Sequence, residues 1–128
     1  MRTSFDIETA LYNALTEKQI HASAHDLPAS LGSVLPHVHV SRTGGTTSDR
    51  VVETNTVAFD VYAADSADAM TAASTLCGDI RDLEGTDIGS PVYSVEIVTL
   101  PYNNPDPRHP TLGRATFRAQ IATRTKGA

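Results

Sequence analysis

"LPHVHVSRTGGTTSDRVVETNTVAFDVYAADSADAM", residues 35–70, holds two alternating stretches separated by a glycine pair and followed by the start of a helix. In the first, Val38 and Val40 alternate with His37, His39 and Ser41, the period-two pattern of a half-buried strand over residues 34–42. The polar run "TGGTTSD" follows, and Gly44 and Gly45 suit a reversal that needs positive φ, so residues 43–50 read as a hairpin tip. The return strand covers residues 51–63, with Val57, Phe59 and Val61 on one face and Thr54, Thr56, Asp60 and Tyr62 on the other. Glu53 and Asn55 make its outer half more polar than its base, which predicts a hairpin that projects from the domain.

Working outward, Asp65 or Ser66 caps a helix whose apolar stripe is Met70, Ala73, Leu76, Cys77, Ile80 and Leu83, with Gly85 at its end. Residues 92–100 form a third strand. Four prolines between Pro101 and Pro110 exclude a central strand, so residues 101–112 read as an ordered arm or exposed loop. A last strand over residues 113–125 alternates Ala115, Phe117, Ala119 and Ile121 with Arg114, Thr116, Arg118, Gln120 and Arg124, leaving "TKGA" as a loose tail. At the other end, Ile7, Leu11 and Leu15 mark a helix over residues 5–18, capped by Thr3 or Ser4. Residues 19–33 show no period and read as a long connection with one turn of helix. The order α-β-β-α-β-β predicts an α+β fold, a four-stranded antiparallel or mixed sheet with both helices packed on one face.

Composition bounds what such a chain does. Its 128 residues suit a single domain spanning residues 1–128. Leu, Ile, Val and Phe supply only 28 of them, and Trp is absent, so the core is thin and burial between subunits would add to it. A formal charge of -5 argues against a surface that grips nucleic acid all over, while allowing a local basic stripe. The lone Cys77 reads as a small apolar core residue. Acids at Asp6 and Glu8 interrupt the first apolar pattern, so a signal peptide is not expected, nor is a membrane span, and the chain is expected in the cytoplasm or in an assembly built there.

Catalytic signatures are weak. His21 and His25 are four apart and His37 and His39 two apart, spacings compatible with a metal, yet no hydrolase-type carboxylate motif accompanies them and solvent-facing strand histidines are common. The expectation is no metal and no cofactor. Asp65, Asp68, Asp79, Asp82 and Glu84 read as a solvated helix face. "TGG" lacks the Lys and following helix of a phosphate loop. The most directional polar signal is the arginine series Arg114, Arg118 and Arg124, one face of one strand, with Arg42 and Arg50 bounding the hairpin tip. A solvated face, pairing between subunits through Asp79, Asp82 and Glu84, or a lining that faces nucleic acid would each use it.

The "PHVHVSRTGG" hairpin with its Arg-Val return strand, the "DVYAADS" lead into the second helix and the closing "GRATFRAQIATR" resemble the tail terminator proteins of long-tailed bacteriophages, over about residues 5–124. The resemblance implies a non-enzymatic structural protein of the virion, assembled in the host cytoplasm. Six copies would ring the head-proximal end of the tail tube, stop tube polymerisation and meet the head-completion proteins, with DNA only passing through the lumen. It implies that Arg42, Gly44, Gly45, Arg50, Arg114, Arg118 and Arg124 lie at subunit or tail interfaces. Another head–tail connector or minor tail component is an alternative. From a different class, a small His-based metal-dependent enzyme or ligand-binding domain would use His21, His25, His37 and His39.

Overall fold

The computed structural model describes residues 2–47 and 51–127. The elements run α1 (Ile7–Glu17), β1 (His21–Ser23), a 3-10 turn (Leu31–Ser33), β2 (His37–Thr47), β3 (Val52–Ala63), α2 (Ser66–Arg81), β4 (Val92–Asn103) and β5 (Gly113–Arg124). The fold is α+β as expected, but the sheet has five strands, not four, in the order β1-β2-β3-β5-β4. The addition is β1, which pairs in parallel with β2 through His21↔His37 to Ser23↔His39. All the other pairings are antiparallel.

The missed strand follows from an unsignalled turn. After α1 the chain reverses at Gln19, a non-glycine residue with φ of 62°, while Gln19 N–H bonds Thr16 O and Ile20 N–H bonds Leu15 O at 3.0 Å. That bonding is the left-handed helix ending usually written with glycine. It sends Ile20 back onto the core and aims the next three residues at β2. The cap of α1 is Asp6, whose carboxylate accepts from the Thr9 backbone and hydroxyl. Ser4, one of the expected caps, instead donates to Glu53 Oε2 at 2.7 Å, and Phe5 N–H donates to Oε1 of the same carboxylate. The tail is not loose either, because Thr3 and Lys126 exchange backbone hydrogen bonds at 2.9 and 2.8 Å.

Both helices lie on one face, α1 over β1 and β2, α2 over β3, β4 and β5. Ile7, Leu11 and Leu15 meet Val38, Val40 and Val57, while Ala69, Ala73, Leu76, Cys77 and Ile80 cover Phe59, Phe117, Ala119 and Ile121. Phe59 and Phe117 stack with centroids 4.8 Å apart and planes within 13°. Asp65 caps α2 by accepting from Asp68 N–H. The helix stops at Arg81, before Gly85, whose φ of 83° belongs to the turn leading toward β4.

The hairpin does not project as a free arm. β3 pairs with β5 over its whole length, from Val52↔Arg124 to Ala63↔Gly113, so its polar outer half is part of the sheet. Asn55 is buried there and donates to Ile121 O and Thr123 Oγ1. Gly44 and Gly45 are not the reversal: both lie within β2, beside a register shift between Arg42 and Gly44. Residues 43–47 of the expected tip at residues 43–50 therefore belong to β2, and residues 48–50 lie outside the described residues. Gly45 has φ of 154°, and a Cβ there would collide with the Thr54 carbonyl, whereas a Cβ at Gly44 meets open space. Pro101 falls inside β4 rather than after it, which is tolerated because β4 is an edge strand with shifted register between Thr99 and Tyr102.

Gly45→Ala is therefore expected to lower unfolding free energy by about 1–3 kcal/mol. Gly44→Ala should stay within about 0.5 kcal/mol. Paired urea melts check the difference, and equal losses would contradict the bulge geometry.

Candidate functional surface

The face of the sheet opposite the helices, expected to carry the arginines, is closed over part of its extent. Tyr62 and Thr116, which alternate with the apolar residues of their strands, are 1% and 2% exposed. The Pro-rich segment is what covers them. Asp106 accepts a 2.8 Å hydrogen bond from the Tyr62 hydroxyl, and Asn104 Nδ2 donates to Thr116 Oγ1, which in turn donates to Asp60 Oδ1 at 2.6 Å. Arg114 completes the clasp, donating to Asn104 O, lying 3.6 Å from Asp106 Oδ2 and stacking 5.8 Å above the Tyr62 ring.

Asp106 is 3% exposed. Burial alone would raise its pKa, but hydrogen bonds from Arg108 N–H and Tyr62 and the charges of Arg114 and Arg108 hold the carboxyl below its ordinary value. Burial pushes the Tyr62 hydroxyl up. The pair with Arg114 replaces the expected partners of that arginine, Asp79, Asp82 and Glu84.

The three strand arginines share a face as expected but not a role. Arg118 and Arg124 are exposed, and neither forms an ion pair among the described residues. Arg42 is exposed on β2, where its backbone N–H donates to Glu8 Oε2 at 2.7 Å and its guanidinium reaches Asn55 at 3.4 Å. Arg50 lies outside the described residues. Glu84 is also engaged, accepting from Val95 N–H on β4.

The histidines separate in the same way. His25 is exposed, 3.5 Å from Glu8 Oε1. His37 is not solvent-facing: it is 3% exposed, and the Ser23 hydroxyl bridges its Nε2 and His39 Nδ1, each at 2.9 Å. Burial, with smaller contributions from His39 and His21, depresses His37 to about 4. Burial also lowers His39, against the opposing pull of Asp60, Glu8 and Asp26. Among the described residues, no three His, Cys, Asp or Glu side chains are grouped so as to hold a metal ion.

The sheet's edges supply what the sequence reading missed. β4 is an edge strand on which Tyr93, Val98, Leu100 and Tyr102 are 49%, 44%, 67% and 37% exposed. Beyond the three residues that β1 covers, β2 is likewise an open edge within the described sheet. Residues 92–100 read as a strand, but nothing in the sequence marks that strand as the outermost. Among the described residues, no helix is long and apolar enough to cross a membrane. No protein-family model matches the chain, and no curated protein is similar to it in sequence.

Asp106→Ala leaves Arg114 and Tyr62 without their buried acceptor and is expected to cost about 3–5 kcal/mol of stability. Arg108→Ala, at a 78% exposed side chain, should cost about 0–1 kcal/mol. Denaturant unfolding of both variants measures the contrast.

A histidine whose pKa falls on folding binds its proton more readily in the unfolded chain. Its contribution is thus complete above the ordinary value of 6.5 and lost as pH falls toward about 4. From His37 alone, stability at pH 5 is expected to be about 2 kcal/mol below that at pH 7, and His39 acts in the same direction. Urea melts across this range should show His37→Phe flattening the slope; an unchanged slope would contradict the assignment.

Proposed function

We propose that this chain is a ring-forming structural subunit of a bacteriophage tail, the terminator at the head-proximal end of the tail tube. The observation that carries the reading is the apolar edge strand β4. Four large side chains are exposed along a strand that, among the described residues, has no neighbour on its outer side. An edge of that kind favours pairing with another chain. The opposite edge, the outer part of β2, is polar and glycine-bearing, so the two open edges differ. Contacts between unlike surfaces are head-to-tail, and they close into a ring when the rotation per subunit permits.

The resemblance of the hairpin and closing strand to tail terminators sets the stoichiometry at six and names the neighbours: the tube protein on one side and the head-completion protein on the other. Arg118 and Arg124 are free to pair with a neighbour's acids on and beside α2, where Asp68, Asp82 and Glu84 are exposed. In this reading the protein is not an enzyme, takes no cofactor, and resides in the virion, with DNA passing through the lumen without being gripped. A different head–tail connector would use the same edges and differ in its neighbours.

Native mass measurements at several concentrations, alone and with tail tubes, test the proposal. The expected result is a six-fold ring, in solution or on the tube. Leu100→Glu should weaken association at least about tenfold while leaving monomer stability within about 0.5 kcal/mol. A strict monomer that also fails to bind tubes would overturn the reading.

A further inference from the structure

Where residues 2–6 and 124–127 meet the turn at residues 89–91, they form a groove of about 430 Å³. Its frame is hydrogen-bonded: Thr3 and Lys126 exchange backbone bonds, and Ser90 Oγ donates to Arg124 O and accepts from Arg124 N–H. Arg2, Arg124 and Lys126 line it, all three exposed, and none forms an ion pair among the described residues. The acid in its lining, Asp6, is engaged by the Thr9 backbone and hydroxyl as the cap of α1. Cations gathered without counter-charge repel one another, and an anionic partner relieves that repulsion.

We propose that this groove binds an acidic segment of another protein chain, an extended peptide carrying several carboxylates. Arg2 is already oriented for it, because its Nε and Nη2 donate to Thr125 Oγ1 and Thr125 O, so little side-chain freedom is lost on binding. Guanidinium groups match carboxylates in charge and geometry. Phe5 and Pro91, both half-buried, give the groove an apolar wall for the peptide's other side chains. Nucleic acid is also anionic, but it carries a phosphate at every nucleotide. A strand leaving past Gly89 would enter the adjoining groove, where Glu17, Asp82 and Asp87 outnumber Lys18. A peptide places its carboxylates only where the cations stand, which also suits a chain of formal charge -5. Arg124 is common to this groove and to the subunit pairing proposed above, whereas Arg2 and Lys126 belong to the groove alone, so the two readings are tested apart.

The probe is a fluorophore-labelled hexapeptide of alternating glutamate and leucine, compared with its glutamine analogue and with a labelled thymidine hexanucleotide. The acidic peptide should bind saturably, about tenfold tighter than the glutamine analogue, and should weaken about tenfold between about 50 mM and about 500 mM salt. It should shift the backbone amide resonances of Ser90, Lys126 and Gly127 more than that of Arg118. Lys126→Glu, at an exposed side chain, should weaken the peptide about tenfold, and Arg118→Gln should leave it within about twofold. Absent or equal binding of the two peptides, amide shifts centred on Arg118, or hexanucleotide binding as tight as that of the acidic peptide would overturn the proposal. Each of these is read on the unaltered protein, and none depends on whether a ring assembles.

Discussion

The pairing of β3 with β5 is the constraint on which the molecule depends. It runs through twelve positions without a register shift, and Phe59 stacks on Phe117 across it on the core face. A one-residue slip would turn the core residues of either strand outward. At its end, Ala63 stands opposite Gly113, and a Cβ on Gly113 would occupy the space held by the Asp65 backbone. The same close approach thus sets the sheet's register and the point where α2 begins, since Asp65 is that helix's cap. On the reverse face the register places Tyr62 opposite Arg114, the two residues that hold Asp106.

This coupling explains how a sheet with helices on only one face keeps its other face from lying open. The Pro-rich segment is too poor in backbone donors to add another strand. It contributes Asn104 and Asp106 instead, and polar groups already aligned by the β3–β5 register receive them. A buried carboxylate is an expense unless paired and hydrogen-bonded. Asp106 is both, which is why this loop is ordered against the sheet. Toward the other end of β5 the reverse face stays open at Arg118 and Arg124, and among the described residues the sheet is unpaired along the outer side of β4 and along the outer part of β2. Polar burial closes one end of the sheet, and the surfaces left for other molecules lie elsewhere.

The Ser23–His37–His39 cluster at β1 has a different origin. It exists because β1 joins the sheet in parallel for three residues only, bringing Ser23 between His37 and His39 and leaving the following segment to turn away. A longer β1 would have covered the β2 edge. The brevity of that strand accounts for both the open edge and the bridged histidine pair at its end, of which His37 is buried.

Much was legible in the chain by itself. The strands containing Val57, Phe59 and Val61, and Ala115, Phe117, Ala119 and Ile121, follow from period-two alternation. The cap at Asp65 and the stripe through Ala73, Leu76, Cys77 and Ile80 follow from helical spacing. These are local consequences of which side chains fit a pleat or a helix face, and neighbouring residues suffice to show them. What lay beyond the sequence depended on residues distant in the chain. Gln19 turns left-handed without being glycine, so β1 carried no signal. Tyr62, Thr116 and His37 sit on polar-patterned faces and became buried only when the loop at residues 104–112 and strand β1 arrived over them. Arg114 differs from Arg118 and Arg124 in having Asp106, Asn104 and Tyr62 around it. The identity of the outermost strand, and hence the exposure of Leu100, is a property of strand order, which alternation cannot encode because every half-buried strand repeats with the same period.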